Sequence, residues 1–191
     1  MAENHYEYCA EVALERLIAG NRRYVAESYA TWDISRAALK RFKDYGQHPY
    51  AIIITCSDSR VIPESIFSTG IGDLFVIRLA GNVIDDHQLG SIEYAADHLG
   101  TGLVVVLGHT CCGAIDAVLQ GHSGEYIKYI AEDIKEAIGD EKDPYKACCL
   151  NVHHCCRRIE GSLSIQEDEK RYGLRVMGAV YDLETGEVKF L

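Results

Sequence analysis

The chain lacks any stretch of about 18 apolar residues, so no membrane-spanning helix is expected. It also lacks a basic excess. Its 19 Lys and Arg face 29 Asp and Glu, a formal net charge of −10, whereas a surface built for phosphate backbones carries clustered positive charge. Nucleic acid is therefore not an expected partner, and a small soluble substrate is. The opening MAENHYEYCAEVALERLIAG has acidic residues where an export signal needs a basic start and an apolar run, which points to the cytoplasm. There is no internal repeat and no low-complexity linker. At 191 residues and 48% hydrophobic, one compact domain is expected.

Cysteine is plentiful. In a cytoplasmic chain, eight cysteines are expected as thiols or metal ligands rather than as a disulfide framework. They stand at Cys9, Cys56, Cys111, Cys112, Cys148, Cys149, Cys155 and Cys156, so their placement relative to secondary structure carries the information.

Apolar residues recur at helical spacing from Ala10 to Ala26, and a second helical stretch runs from about Ser35 to Asp44. The run Tyr50–Thr55 is apolar and β-branched, as in a strand buried on both faces of a parallel sheet. Asp73–Arg78 reads as a second strand and Ala80–Asn82 as a turn. Ser91–Leu99 reads as a helix with Ser91 as N-cap and Gly100 as its stop. Leu103–Leu107 is a third strand, ending at Gly108-His109. Helices are expected over Glu125–Ile138 and Tyr145–Ile159, and a terminal hairpin from Leu174 to Leu191. Strands alternating with helices give an α/β domain with a central, mainly parallel sheet.

Two of these strands end in metal-ligand chemistry: Cys56-Ser-Asp-Ser-Arg60 after the first and His109-Thr-Cys-Cys112 after the third. Crevices in parallel sheets lie beyond the carboxyl ends of strands. Two thiolates and an imidazole suit zinc, and three protein ligands leave the fourth tetrahedral position open, as a catalytic site requires. Asp58 and Arg60, two residues apart, could share one side of an extended segment, with the guanidinium holding the carboxylate ionised. Taken singly, each of these residues also fits a buried thiol or a solvated ion pair.

The pair Cys56-Ser-Asp-Ser-Arg60 and Gly108-His-Thr-Cys-Cys-Gly113 resembles the signature of the β-carbonic anhydrases. The likeness extends through Ala13–Tyr24, Gln47–Gly113, Asn151-Val152 and Gly178–Gly186. The resemblance implies one zinc ion per chain on Cys56, His109 and Cys112, with Asp58 and Arg60 as a catalytic dyad. It further implies substrate contacts at Gln47 and Gly113 and an apolar carbon dioxide pocket at Phe75, Ala80 and Tyr94, positions that core packing explains equally. The activity implied is reversible hydration of carbon dioxide to bicarbonate and a proton by a zinc-bound hydroxide. Two thiolates would acidify bound water less than neutral ligands do, a deficit that Asp58 could offset by orienting the water. A homodimer or higher homo-oligomer is implied as well, with a helical arm over 1–46 reaching across from an α/β core over 47–191. Leu79 and Ile62 depart from the family pattern, which bears on packing beside the pocket and not on the ligands.

Two other readings share these residues: a same-fold hydrolase of carbon disulfide or carbonyl sulfide, and a non-catalytic zinc- or bicarbonate-binding or redox protein. The second draws on Cys149, His153 and Cys156, whose helical spacing would suit a second metal site. His5, His48, His87, His98 and His122 have no metal spacing and read as surface or satisfied core residues.

Overall fold

The computed structural model describes residues 8–28, 33–122, 124–125 and 127–191. His5 lies outside the described residues. The chain runs α1 (Ala10–Val25), α2 (Arg36–Tyr45), β1 (Ala51–Thr55), α3 (Pro63–Ile66), β2 (Leu74–Arg78), a 3-10 turn (Ala80–Asn82), α4 (Asp86–Leu99), β3 (Leu103–His109), α5 (Gly113–Leu119), α6 (Ile127–Ile138), α7 (Pro144–Glu160), α8 (Leu163–Tyr172), β4 (Arg175–Tyr181) and β5 (Val188–Phe190). Five strands form one sheet in the order β2-β1-β3-β4-β5. The first four are parallel and β5 pairs antiparallel with β4, closing the expected hairpin.

Every residue of β1 and β3 is buried, so the two-residue period of a strand sorts side chains between two cores rather than between core and solvent. Ile52, Ile54, Val104 and Val106 enter one core with Ile92 of α4 and Val152 of α7. Ala51, Ile53, Leu103, Val105 and Leu107 enter the other with Ala13 and Leu17 of α1 and Ile66 of α3. On the first face α7 lies almost on the sheet. A Cβ at Gly108 would stand 2.6 Å from Val152 Cγ2 and 2.8 Å from Cys148 Sγ, and one at Gly178 would stand 2.7 Å from Val152 Cγ1. Both glycines keep the strands clear for that helix.

The fourth helix begins earlier than its sequence expectation. Asp85, not Ser91, is the N-cap: its carboxylate accepts from the backbone of His87 and Gln88, while the Gln88 side chain accepts from the Asp85 N–H, a complete capping box. Ser91 sits inside the helix and donates back to His87 O at 2.8 Å. Gly100 ends the helix in the left-handed conformation, as expected. Three short helices, α3, α5 and α8, were not anticipated, and the helix expected from Glu125 starts at Ile127, past Tyr126, which lies outside the described residues. No helix among the described residues is long and apolar enough to cross a membrane.

Candidate active site

In the sheet register Thr55 stands opposite Arg78 on one side and Leu107 on the other. Cys56 therefore leaves the sheet beside the last rungs of β3, and His109 closes that strand. Cys112 follows as the N-cap residue of α5. One ligand atom from each of Cys56, His109 and Cys112 lies within 4.8 Å of the other two, and all three residues are buried. Tetrahedral zinc with sulfur at about 2.3 Å and nitrogen at about 2.0 Å needs donors roughly 3.5–4 Å apart, so small side-chain adjustments close the set.

The tautomer of His109 is set from behind. Its Nδ1 lies 2.9 Å from Thr110 O, an acceptor, so Nδ1 carries the hydrogen and Nε2 keeps its lone pair. That Nε2 is fully buried with no partner, a costly state for a polar atom unless something binds it. Thr110 is held in turn, its N–H donating to Tyr181 O and its hydroxyl oxygen accepting from Leu183 N.

The two thiols hold one proton between them. A bond from the Cys112 thiol is the largest influence that pulls Cys56 down to about 4, helped by His109 and the N–H groups of Asp58 and Gly81 and opposed by burial. The same bond, together with burial, pushes Cys112 above the ordinary thiol range. A divalent cation in place of the shared proton lets both sulfurs ionise, and the orphaned Nε2 supplies the third donor. The residues present therefore fit zinc.

The dyad forms, though not on extended chain. Val61 N–H donates to Asp58 O, closing a tight turn over 58–61. Within it Arg60 Nε donates to Asp58 Oδ1 at 3.0 Å, Arg60 Nη2 to Oδ2 at 2.7 Å, and the Arg60 backbone N–H to Oδ1 at 2.9 Å. This bidentate grip, above all the Arg60 side-chain bonds, holds the Asp58 carboxyl well below the usual carboxylate range. Asp58 Oδ2 lies 4.0 Å from His109 Nε2, at the mouth of the donor set. Arg60 also donates to Cys111 O, tying the two ligand-bearing loops together.

Two residues of the site were missed. Arg78 Nε donates to Cys56 O at 3.2 Å and its Nη2 to Asp58 O at 2.7 Å, fixing the backbone on both sides of Ser57. Gly81, in left-handed conformation (φ 67°), turns its N–H onto Cys56 Sγ at 3.3 Å. Its own carbonyl accepts from Asn151 Nδ2 at 2.8 Å, the role the structure gives the Asn151-Val152 motif. An arginine closing a strand and a glycine before asparagine were the available signals.

Ala80, half-buried, adjoins Gly81, and Gly113, exposed, directly follows Cys112. Gln47, Phe75 and Tyr94 are not brought to the donor set within one chain. Gln47 precedes β1 and Cys56 follows it, so five strand residues rising about 3.3 Å each separate them. Phase along the sheet separates Phe75 too: it pairs with Ile52, three rungs below the Thr55–Arg78 level. Its ring packs on Tyr94 at 6.3 Å between centroids, and Tyr94, 48% exposed, packs on His98 in turn.

The helix α7 does not assemble a second metal site. Cys148, Cys155 and Cys156 are buried, and burial pushes each thiol up to about 12. Cys149 is half-buried and His153 exposed, and the Cys56–His109–Cys112 group is the one metal-ligand cluster among the described residues. These cysteines behave as core residues. Cys111 is exposed, and His48, His87, His98 and His122 lie at the surface.

Comparison with known proteins agrees with this geometry. The carbonic anhydrase family model matches residues 51–188. A carbonic anhydrase of Synechococcus elongatus is 41% identical over 195 residues, covering 92% of this chain and 70% of that protein. Carbonic anhydrase 2 of Mycobacterium tuberculosis is 42% identical over 129 residues, 65% of this chain; the match spans 58% of that relative's length. Among solved structures, a Coccomyxa β-carbonic anhydrase in complex with acetazolamide is 31% identical with a TM-score of 0.70, covering 93% of this chain and 86% of that one. A chain from the tetrameric β-carbonic anhydrases of Sordaria macrospora is 26% identical with a TM-score of 0.74, covering 95% and 94%. With the family model spanning most of the sheet and both ligand-bearing loops, the chain belongs to the carbonic anhydrase family, in its β class.

Proposed function

We propose that this protein catalyses the reversible hydration of carbon dioxide to bicarbonate and a proton, with one zinc ion held by Cys56, His109 and Cys112. The observation that carries this reading is the buried, unpartnered Nε2 of His109, facing two thiols that share a proton, beside an arginine-held carboxylate. Zinc bound there supplies a Lewis acid that yields hydroxide from water near neutral pH. The residues of the chain do the rest. Asp58, kept ionised by Arg60, accepts a hydrogen bond from the attacking water and so aims its lone pair. Arg78 and the Gly81 N–H hold the Cys56 loop and sulfur against the movement of charge during turnover. Gly113 N–H, at the start of α5 and next to Cys112, donates to a bicarbonate oxygen.

Gln47, Phe75 and Tyr94 complete the substrate pocket from a second copy of the chain. Their distance from the donor set within one chain and the exposure of Tyr94 support this, as does the tetrameric state of the Sordaria relatives. The assembly is thus a homodimer or a multiple of it, with the chain from 47 onward as the zinc-binding core; α1 packs on its own sheet, so of the helical arm over 1–46 it is α2 that is left to reach a neighbour. All eight cysteines are free thiols, the state that a reducing cytoplasm maintains, which supports a cytoplasmic location.

The deciding experiment is stopped-flow carbon dioxide hydration on protein with zinc counted per chain, beside Asp58→Asn. Fast hydration at one zinc per chain is expected, falling by about 10²-fold or more in the variant with zinc retained. A zinc-loaded protein inactive on carbon dioxide from neutral to alkaline pH, yet active on carbonyl sulfide, would refute the proposal.

A further inference from the structure

At the other end of the sheet, before β1 and β2 begin, α1 turns Arg16 and Arg23 toward the loop that follows α3. The helix presses hard on that loop: a Cβ at Gly20 would stand 1.9 Å from Phe67 O. Between helix and loop lies a cavity of about 230 Å³ walled by Arg16, Arg23, Tyr50, Ser68, Thr69 and Asp73. Ser68 is 7% exposed and takes the left-handed conformation (φ 46°), unusual for a residue other than glycine. Its hydroxyl is buried with no hydrogen-bond partner, although a buried hydroxyl left unpaired costs free energy.

The charges around it are unevenly engaged. The Arg16 guanidinium stacks 3.9 Å over the Tyr50 ring and 4.9 Å from the Tyr8 ring centre, and its Nη2 reaches Asp73 Oδ1 only at 3.8 Å. Asp73 Oδ2 accepts from Gly70 N–H at 2.8 Å, which leaves Oδ1 with that one long contact among the described residues. Arg23 makes no ion pair among the described residues. Among the described residues the wall thus offers two cationic groups as donors and a single carboxylate oxygen as acceptor, with the unpaired Ser68 hydroxyl closed off from solvent in the same wall.

We propose that this cavity binds a small oxyanion carrying one hydroxyl hydrogen, the chemistry shared by bicarbonate and monohydrogen phosphate. Anion oxygens accept from Arg23, Arg16 and the Ser68 hydroxyl, while the anion's own O–H donates to Asp73 Oδ1. The carboxylate makes the site selective: sulfate has no hydrogen at neutral pH and meets Asp73 as like charge against like. The site is independent of the hydration chemistry at the other end of the sheet.

The test is isothermal titration of the zinc-loaded protein with sodium phosphate, sodium bicarbonate and sodium sulfate at matched ionic strength, repeated on Arg23→Gln and Ser68→Ala. Arg23 is exposed and alanine takes the Ser68 backbone as readily as serine, so neither change should unfold the chain; zinc content per chain checks this. Phosphate or bicarbonate should saturate at one per chain, with affinity falling about tenfold in Arg23→Gln and about fivefold in Ser68→Ala. Sulfate should bind about tenfold more weakly, and Asp73→Asn should narrow that gap. Saturation by only one of the two hydrogen-bearing anions identifies the ligand. The proposal is overturned if neither saturates, if both variants bind as the wild type does, which would place the anion at the metal centre, or if sulfate binds equally well.

Discussion

Replacing Gly20 with alanine sets helix propensity against packing. In a solvated helix interior the change stabilises by roughly 0.5–1 kcal/mol, because glycine loses more backbone freedom on folding. At Gly20 the new Cβ would meet Phe67 O at 1.9 Å and the Phe67 carbonyl carbon at 2.7 Å, both backbone atoms that cannot rotate away. A carbon–oxygen contact needs about 3.3–3.6 Å, so α1 must withdraw by roughly 1.5 Å. The neighbouring Asn21 anchors the helix by donating to Ile66 O at 3.2 Å and Gly186 O at 2.9 Å and accepting from Val188 N–H at 2.9 Å, and such a withdrawal breaks at least one or two of these. Overpacking costs about 1–3 kcal/mol and each lost buried bond about 1 kcal/mol, so after the propensity gain is subtracted the net loss is roughly 1–4.5 kcal/mol, centred near about 3 kcal/mol. For a chain of this size that lowers the melting temperature by roughly 10 °C. Urea unfolding of zinc-loaded protein at fixed chain concentration measures it, with Gly90→Ala as the control. Gly90 also lies inside a helix, but its Cβ would meet nothing within 4 Å, so that variant should gain a few tenths to about 1 kcal/mol. A Gly20→Ala midpoint at or above the wild type would refute the packing argument.

Three further outcomes are expected. Asp85→Ala removes the carboxylate that caps α4, leaving the Gln88 side chain its bond from the backbone N–H of residue 85, and should cost about 1 kcal/mol in the same unfolding assay. Thiols pushed up to about 12 are ionised in roughly one molecule in ten thousand at pH 8, so iodoacetamide should label the exposed Cys9 and Cys111 of the native protein and spare Cys148, Cys155 and Cys156 until denaturant is added, as peptide mass mapping would show. Zinc binding should release protons: Cys56, held down to about 4, is already ionised at pH 7, whereas Cys112, pushed up, still carries a proton. On His109 burial, the largest single influence, disfavours the charged ring, but Cys56, the Thr110 carbonyl and Asp58 together outweigh it and raise the pKa. Calorimetry in buffers of different ionisation enthalpy should therefore report about one proton released per zinc at pH 7, and affinity dropping with acidification; release of none at pH 7 would contradict the shared-proton arrangement.

What the sequence made legible followed from how strongly each pattern was constrained. The apolar runs in β1 and β3 had to be buried on both faces, which placed them in the centre of a parallel sheet, and the observed order puts them side by side. The early start of α4 was hidden because His87, Gln88 and Gly90 interrupt its apolar spacing, while its true signal, Asp85 followed by Gln88 three residues on, was overlooked. Helix α8 was obscured by its polar stretch Gln166–Arg171, although Ser162 and Gly173 punctuate both ends. The extended geometry assumed for Asp58–Arg60 failed because an aspartate accepting from the backbone two residues on makes a turn of its own.

Local sequence identified donors better than it identified walls, for a geometric reason. Cys56 and His109 are far apart in sequence, but adjacent parallel strands deliver their ends to the same edge of the sheet, so finding chemistry at two strand ends was enough to bring them together. A pocket wall carries no such constraint. Gln47 precedes β1 and Phe75 stands near the start of β2, its parallel neighbour, at the opposite edge from the site, and no turn of the chain can carry them across without breaking the β1–β2 register. If they contact substrate at all, the contact must cross to another copy. Gln47→Ala should then lower hydration without lowering zinc content. Mixed oligomers of Gln47→Ala with Asp58→Asn chains should regain activity, since one of the two sites in a mixed pair keeps both residues intact. Failure of such mixtures to exceed the activity of either variant alone would place Gln47 outside the site.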